Sequence, residues 1–246
     1  MGSINFAAVV TRPDIAKACS ILAQHLRNPG PHHIRAADRV IAYLTRTKYL
    51  AIEYCGLIDQ SEFKVYPGQW IESFPFECYS DAAFADNIDR KSSDGYLFML
   101  YGGAIDWKAS KQTTVTISST EAELLATSRT ARELIAWQRF FNEVSFTIDG
   151  GIKLMLSDNR QTIRLLKRQE PLLTTKLRHV DIHQHWLRQE VQAGNIDVEW
   201  TSTTTMKVDG LTKPLPRQPF ERFIRQLNLV DVQIEVERRQ QSGRVC

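Results

Sequence analysis

The apolar positions of the first 56 residues recur at the spacing of helices. One apolar stripe spans residues 15–26, directly after Pro13 and Asp14, which are typical of the first turn of a helix. A second stripe spans residues 34–44, beyond an Asn-Pro-Gly-Pro break. Residues 50–54 then predict a short strand. A helical hairpin of this size buries little apolar surface by itself, so we expect it to dock on the rest of the chain.

From residue 74 the apolar positions change to a period of two. Phe76 and Cys78 alternate with polar residues, which predicts a strand with one face in a core. Residues 96–101 predict a second strand, and a Gly-Gly turn leads into a third at 104–108, with a further extended stretch at 113–117. Together these segments predict an antiparallel meander.

Helices and strands alternate in the second half of the chain. The predicted elements are a helix at 120–144, a strand at 152–156, helices at 160–167 and 180–192, a strand at 196–200 and a helix at 219–229. This order predicts an α/β fold with a mixed five-stranded sheet and flanking helices. The predicted organisation is a helical segment at 1–56, a linker at 57–73, the α/β domain at 74–230 and a frayed polar tail at 231–246.

The composition narrows the class of protein. The 246 residues are 43% hydrophobic, with 31 basic and 28 acidic residues, which is ordinary for a folded chain. The four cysteines form no C-x-x-C pair, which disfavours zinc pairs and a disulfide framework and fits a reducing compartment. No apolar run is long enough for a membrane helix, and no basic-then-apolar leader opens the chain. Acidic residues dominate the middle of the chain and basic residues its flanks, a layout that metal-dependent nucleic-acid enzymes need; an ordinary mixed surface is the alternative.

Four acidic residues stand at predicted element ends or within strands: Asp81, Glu123, Asp158 and Asp209. The strand that holds Asp81 and the strand that ends before Asp158 are both apolar, which favours central positions in the sheet. If these strands are neighbours, the two carboxylates lie close together and repel each other unless a cation lies between them. Mg²⁺ prefers such oxygen ligands, and two ions about 3.5–4 Å apart promote phosphodiester hydrolysis.

The same acidic residues also fit structural roles. Asp158 is placed to cap the following helix, and Asp209 fits a turn. Ser118-x-x-Glu121 fits a capping box, which leaves Glu123 rather than Glu121 as the candidate ligand.

Seven short motifs resemble, in order and approximate spacing, those of the ribonuclease H domain of copia-type retrotransposon polyproteins. They are Tyr79-Ser80-Asp81-Ala82, Asp89-Arg90-Lys91-Ser92-Ser93-x-Gly95-Tyr96, Trp107-Lys108-x-x-Lys111-Gln112, Ser118-Ser119-Thr120-Glu121-Ala122-Glu123, Ser157-Asp158-Asn159, Arg178-His179-Val180-Asp181-Ile182 and Asp209-Gly210-Leu211-Thr212-Lys213. The stretch before them resembles the end of the reverse transcriptase, in Thr11-Arg12-Pro13-Asp14-Ile15-Ala16 and Ala36-Ala37-x-Arg39-Val40. The resemblance covers about residues 3–230.

The resemblance implies a ribonuclease H-like fold and hydrolysis of the RNA strand of an RNA–DNA hybrid. It also implies two Mg²⁺ or Mn²⁺ ions, with Asp81, Glu123, Asp158 and Asp209 as their ligands. The implied partners are the hybrid and the reverse transcriptase part of the same polyprotein, in the cytoplasm or in element-encoded particles. Basic residues of these motifs and close to them are candidates for phosphate contacts, with a solvated basic face as the alternative: Lys108, Lys111, Lys176 and Arg178.

The chain departs from the family pattern in several places. Residues 201–207 hold no His of the kind that cellular ribonucleases H often place before the last acid, and Val208 stands where a small residue is usual. The polymerase motif Tyr-x-Asp-Asp is absent, so we expect no DNA synthesis by this chain alone. Two other interpretations stay open, a catalytically inactive nucleic-acid-binding remnant and an integrase-like enzyme that acts on duplex DNA.

Overall fold

The computed structural model describes residues 1–54, 75–148, 151–167 and 178–241. The predicted linker at 57–73 and the candidate phosphate ligand Lys176 lie outside these residues. Among the described helices, none is long and apolar enough to cross a membrane.

Five strands form the central sheet. They are β2 (Phe76–Ala83), β3 (Ser93–Leu100), β4 (Gly103–Lys111), β5 (Leu154–Ser157) and β6 (Asp197–Trp200). The spatial order is β4-β3-β2-β5-β6, with antiparallel pairing in the β2–β3–β4 meander and parallel pairing from β2 to β5 and from β5 to β6. A mixed five-stranded sheet with flanking helices is thus confirmed, and the two apolar strands expected at its centre, β2 and β5, are neighbours.

Helices cover both faces of this sheet. The described helices are α1 (Gly2–Val10), a 3₁₀ turn (Pro13–Ile15), α2 (Ala16–Ala23), α3 (Pro31–Arg46), α4 (Ser119–Glu143), α5 (Arg160–Lys167), α6 (Arg178–Gln192), α7 (Asp209–Thr212), α8 (Arg217–Gln226) and α9 (Gln233–Gln241). One core packs α4, α5 and α6 against the sheet around Phe98, Leu134 and Met155. The second core packs α7 and α8 against the other face around Leu97, Leu211 and Phe223.

The N-terminal helices dock on the sheet domain by specific polar contacts. The indole Nε1 of Trp107 on β4 donates to the carbonyl of Ala8 on α1 at 2.6 Å. The buried ammonium of Lys17 on α2 lies 2.6 Å from Ser93 Oγ and 3.2 Å from Asp86 Oδ2. A small antiparallel sheet of β1 (Leu50–Ile52) and β7 (Leu229–Asp231) also joins the two parts.

Several regions differ from the sequence-based expectation, among them the short helix α7 and the strand β7, neither of which was predicted. Helix α1 was not predicted; Ile4 and Ala8 are buried in a small core of the N-terminal helices. Residues 113–117 form no strand, because the pairing of β3 with β4 ends at the Ser93–Lys111 pair.

The polar stretch 231–246, predicted to be frayed, carries helix α9 among its described residues. Asp231 Oδ1 accepts a hydrogen bond from the backbone N–H of Gln233 at 2.9 Å, which caps the helix. An ion pair one turn along, between Arg238 and Glu235 at 3.7 Å, adds local support. Such i,i+3 pairs hold a helix without burying an apolar face, so an apolar-stripe criterion does not detect it.

Candidate metal centre

Asp81 lies on the central strand β2, where a helix approaches the sheet closely. Its register partner on β3 is Gly95. A Cβ at that glycine would lie 2.9 Å from the side chain of Thr212 and 3.0 Å from that of Leu211, so a residue with a side chain would push α7 away. The close approach lets the Thr212 hydroxyl donate a hydrogen bond to Asp81 Oδ2. Asp81 is therefore held in one orientation by α7.

Asp158 follows the end of β5, the parallel neighbour of β2. The capping role considered for Asp158 belongs to Asn159, whose Oδ1 accepts from the backbone N–H of Thr162 at 3.0 Å. The Asp158 carboxylate instead accepts a hydrogen bond from the hydroxyl of Thr203 at 3.2 Å. The Asp158 side chain is partly exposed and does not cap the helix.

Glu123 lies in the first turns of α4. Ser118 caps this helix, with its Oγ accepting from the N–H of Glu121 at 3.2 Å, while Glu121 Oε2 accepts from the N–H of Ile117 at 2.8 Å. Glu121 thus has a capping role, as the sequence predicts. Glu123 lies two residues further along the helix, so its side chain projects from a different face than that of Glu121. It is 6% exposed.

The structure brings three of the four predicted acids together. One carboxylate oxygen each of Asp81, Glu123 and Asp158 lies within 4.8 Å of the others, a group that we call the acid cluster. Burial raises the pKa of Asp81 to about 6, and the nearby carboxylates of Asp209 and Asp158 add to this, against the opposing effects of Thr212 and Lys213. Burial, together with the charges of Asp81 and Asp158, also raises the pKa of Glu123 well above its usual range. Ionisation of all three carboxyl groups together is therefore unfavourable unless a cation lies between them.

The donor set of the acid cluster fits a divalent cation. Glu123 Oε2 is buried and has no hydrogen-bond partner among the described residues. A buried carboxylate oxygen left without a donor costs free energy, and a hard cation between three carboxylates removes that cost.

Asp209, the fourth predicted acid, is the first residue of the short helix α7. It is not part of the acid cluster, although it is close enough to contribute to the raised pKa of Asp81. Its Oδ1 forms an ion pair with the ammonium of Lys213 at 2.9 Å. Burial by itself lowers the pKa of Lys213, but the contact with Asp209 and the charges of Asp81 and Asp158 outweigh it and raise that pKa. Lys213 therefore stays charged and partly offsets the four acids.

The predicted phosphate contacts have different environments. Lys108 on β4 is exposed. Lys111, at the end of the same strand, contacts Asp89 Oδ2 at 3.1 Å and Gln24 Oε1 at 2.9 Å. Arg178 begins α6, and its side chain lies outside the described part of the structure, as does the whole of Lys176.

Sequence analysis did not assign roles to Thr212, Lys213 or Thr203, which contact the acids. Thr212 and Lys213 lie in the Asp-Gly-Leu-Thr-Lys motif, so their spacing from Asp209 on a helical turn was the available signal. Thr203 carries no such signal, because its contact with Asp158 joins residues 45 positions apart.

Comparison with known proteins gives relatives over most of the chain. The Pol polyprotein of the tobacco transposon TNT 1-94 (Nicotiana tabacum), described as retrovirus-related, is 34% identical over 223 residues, which are 90% of this chain and 15% of that polyprotein. A protein of Plasmopara viticola described as secreted RxLR effector protein 161 is 36% identical over 136 residues, which are 55% of this chain and 86% of that protein. The chain thus spans about a seventh of the transposon polyprotein that it matches.

Solved structures that resemble part of this chain include LC11-RNase H1 in complex with an RNA/DNA hybrid. That chain is 13% identical, with a TM-score of 0.42, over 56% of this chain and 93% of the other. No protein-family model matches the sequence.

Proposed function

Since this chain belongs to the family of copia-type retrotransposon Pol polyproteins, we propose that it is a metal-dependent ribonuclease H that hydrolyses the RNA strand of RNA–DNA hybrids. The observation that carries the proposal is the acid cluster: three carboxylates converge from β2, α4 and the end of β5, and one buried oxygen of Glu123 lacks a hydrogen-bond donor in the described structure. A fold assembles such a site from distant residues at a cost in stability, so a bound cation is its simplest explanation.

Asp81, Glu123 and Asp158 would hold Mg²⁺ or Mn²⁺, and we propose Asp209 as a further ligand when two ions are bound. Bound divalent ions lower the pKa of an attacking water and stabilise the leaving 3′-oxygen of a phosphodiester. Asp209 becomes available for this role if Lys213 moves from its present ion pair to a phosphate oxygen of the substrate.

The other residues of the site orient the acids and bind the backbone of the substrate. Thr212 holds Asp81, and Thr203 holds Asp158, each through a hydroxyl hydrogen bond to one carboxylate oxygen. Lys108 is exposed and suited to contact phosphates, which carry most of the affinity for nucleic acids. Recognition of a hybrid through shape, phosphates and 2′-hydroxyls predicts little sequence preference.

The second partner that we propose is the reverse transcriptase part of the same polyprotein. The first 54 residues dock on the sheet domain, and we propose that they continue the reverse transcriptase part of the polyprotein, whose end they resemble. The polymerase would then deliver the hybrid that the acid cluster cleaves.

The test is cleavage of a labelled hybrid with Mg²⁺ by the chain and by its Asp81→Asn variant. We expect 5′-phosphate and 3′-hydroxyl products from the unsubstituted chain, none without a divalent ion, and none from the variant. Asp38→Asn, which removes an exposed carboxylate on α3, is the matched control and should cleave normally. Cleavage unaffected by Asp81→Asn would refute the proposal, hybrid binding without cleavage would identify an inactive remnant, and preferential cutting of duplex DNA would indicate an integrase-like enzyme.

A further inference from the structure

An arginine stacked on a tryptophan lies beside the acid cluster, and the proposed chemistry uses neither residue. The guanidinium carbon of Arg160 lies 4.1 Å from the centre of the Trp200 ring, well within cation–π distance. Arg160 is exposed at the start of α5, and Trp200 is 45% exposed at the end of β6. Both residues therefore face solvent at the edge of the sheet where the acids converge.

The tryptophan is fixed to the backbone of a cluster residue. Its ring Nε1 donates a hydrogen bond to the carbonyl of Asp158 at 3.2 Å. In the parallel pairing of β5 and β6, Trp200 is the register partner of Ser157, the residue before Asp158. The edge of the indole is thus anchored, and one of its faces is occupied by the guanidinium.

The side chain of Arg160 donates no hydrogen bond to another described residue. A guanidinium that lies over an aromatic ring makes that contact through its face, while its N–H groups point outward in its own plane. Across the described ranges, no carboxylate forms an ion pair with Arg160. A preorganised cation with free donors is suited to bidentate contact with a phosphate.

The negative charge of the acid cluster favours a cation at this position. Three carboxylates next to the stacked pair repel the backbone of any nucleic acid that approaches them. A cation held in place next to Asp158 offsets this repulsion locally. Because the guanidinium of Arg160 is stacked on Trp200, it forms no ion pair with these acids in the described structure. Lys213, in contrast, is paired with Asp209.

We propose that Arg160, held by Trp200, is a positioning residue that binds a backbone phosphate of the substrate next to the one at the acid cluster. The inference rests on the proposed function for the identity of the substrate as an RNA–DNA hybrid. It adds a substrate contact on the β5–β6 side of the site, opposite the side of Lys108.

The first test measures binding alone. The affinity of the chain for a fluorescein-labelled hybrid of about 20 base pairs is measured in EDTA at several salt concentrations, so that no cleavage occurs. We expect Arg160→Ala to weaken binding about five- to tenfold and to reduce the salt slope by about 0.9, the loss of one phosphate contact. The matched control is Arg164→Ala, which removes the same charge from an exposed position one turn further along α5 and should change affinity less than twofold. Equal effects of the two substitutions would overturn the proposal.

A second test asks whether the stacking matters. Trp200→Phe keeps an aromatic face and should retain most of the affinity, whereas Trp200→Ala should match Arg160→Ala. In steady-state cleavage with Mg²⁺, the affected variants should show a higher KM and a nearly unchanged kcat. A lower kcat with unchanged KM would assign Arg160 a structural role instead and contradict the proposal.

The outcomes separate this inference from the proposed function. A chain that binds the hybrid through Arg160 but does not cleave it refutes the nuclease and leaves the phosphate contact standing. A chain that cleaves, with Arg160→Ala indistinguishable from Arg164→Ala, refutes the phosphate contact alone. A chain with no affinity for the hybrid at low salt refutes the phosphate contact whatever the cleavage assay gives.

Discussion

Arg12 and Asp14 are buried as deeply as Asp81 and Glu123, at 4–6% exposure, yet the two groups differ in how their charges are satisfied. In the N-terminal helices, the guanidinium of Arg12 donates to both carboxylate oxygens of Asp14, at 2.9 and 2.7 Å. The hydroxyl of Tyr43 donates to Asp14 Oδ2 at 2.6 Å. We call Arg12, Asp14 and Tyr43, with Thr47 as a further acceptor for Arg12, the paired cluster.

The contrast separates structural from functional burial of charge. The paired cluster contains one positive and one negative group, and each charged atom has a partner in bidentate geometry. The acid cluster contains only negative groups, and one of its oxygens has no donor in the described residues. Removing a charge should therefore have opposite effects on stability in the two clusters. In the paired cluster it leaves a buried charge without its partner, whereas in the acid cluster it relieves repulsion between carboxylates.

The largest effect is expected on activity, from Glu123→Gln. The substitution removes a proposed ligand, and we expect cleavage of the hybrid to fall by about a thousandfold, since metal-ion stabilisation is worth several kcal/mol. Without divalent ions the variant should be at least as stable as the unsubstituted chain in urea unfolding. Glu143→Gln, at an exposed position of the same helix, is the control and should change neither quantity.

In the paired cluster we expect the reverse, from Arg12→Ala. The change leaves the buried Asp14 carboxylate without its cation, and the loss of stability should be about 3–5 kcal/mol. Urea unfolding measures this loss, and the folded fraction should retain its kcat for the hybrid. Arg27→Ala, which removes an exposed arginine from the same part of the chain, should be neutral. If Arg12→Ala proved harmless to stability while Glu123→Gln unfolded the chain, the contrast between the clusters would be wrong.

The pH dependence of stability should distinguish the acid cluster by its sign. Burial raises the pKa of Asp81 to about 6, above the usual 3.8, so this group favours the folded state below pH 3.8 and loses that contribution as pH rises through 6. In EDTA, Asp81→Asn should therefore gain up to about 3 kcal/mol over the unsubstituted chain at pH 7.5 and little near pH 4. Unfolding curves at pH 4, 6 and 7.5 measure the difference, and Mg²⁺ should reduce it at pH 7.5. A gain independent of pH would show that the repulsion argument is incorrect.

Lys213→Met should move the acid limb of the activity profile. Burial is the main cause of the raised pKa values of Asp81 and Glu123, but the charge of Lys213 opposes it. Without that charge both carboxylates should hold their protons to higher pH. We expect a rate loss below about tenfold at pH 6 that becomes smaller at pH 8, in a kcat/KM profile with Mg²⁺. Lys213→Arg should keep the original profile, and an unshifted limb in the Met variant would contradict the assignment.

The smallest effect is expected at the surface of β4, where the contrast between free and paired charge recurs. Lys108 forms no ion pair within the described residues, whereas Lys111 contacts Asp89. Lys108→Ala should weaken hybrid binding about threefold, and Lys111→Ala should weaken it less, since Lys111 must give up a partner to bind a phosphate. Fluorescence anisotropy in EDTA measures both. A larger loss for Lys111 would reverse their proposed roles.

Residues close in sequence, or on strands with a clear period, were predictable. The apolar runs placed β2 and β5 at the centre of the sheet, and their neighbouring positions bring Asp81 and Asp158 together. Ser118 and Glu121 identified the start of α4 through capping, and this singled out Glu123 as the remaining acid.

Features that depend on distant contacts were not predictable in the same way. Strand β7 has three residues and is specified by its pairing with β1, which no local pattern records. The ion pair of Asp209 with Lys213 depends on where α7 packs, and the approach of α7 depends on the missing side chain at Gly95. The stacking of Arg160 on Trp200 joins the ends of two elements, and neither residue belongs to a motif that carries the family resemblance.

The pairing of β1 with β7 has a consequence for biosynthesis. Leu50 pairs with Asp231. Strand β1 is therefore synthesised about 180 residues before its partner β7. At the usual rate of about 5–20 residues per second, a ribosome needs about 10–40 s to supply it. During that interval the edge of β1 is open, and a nascent chain that stalls before residue 229 leaves it exposed to chaperones or to pairing with another copy.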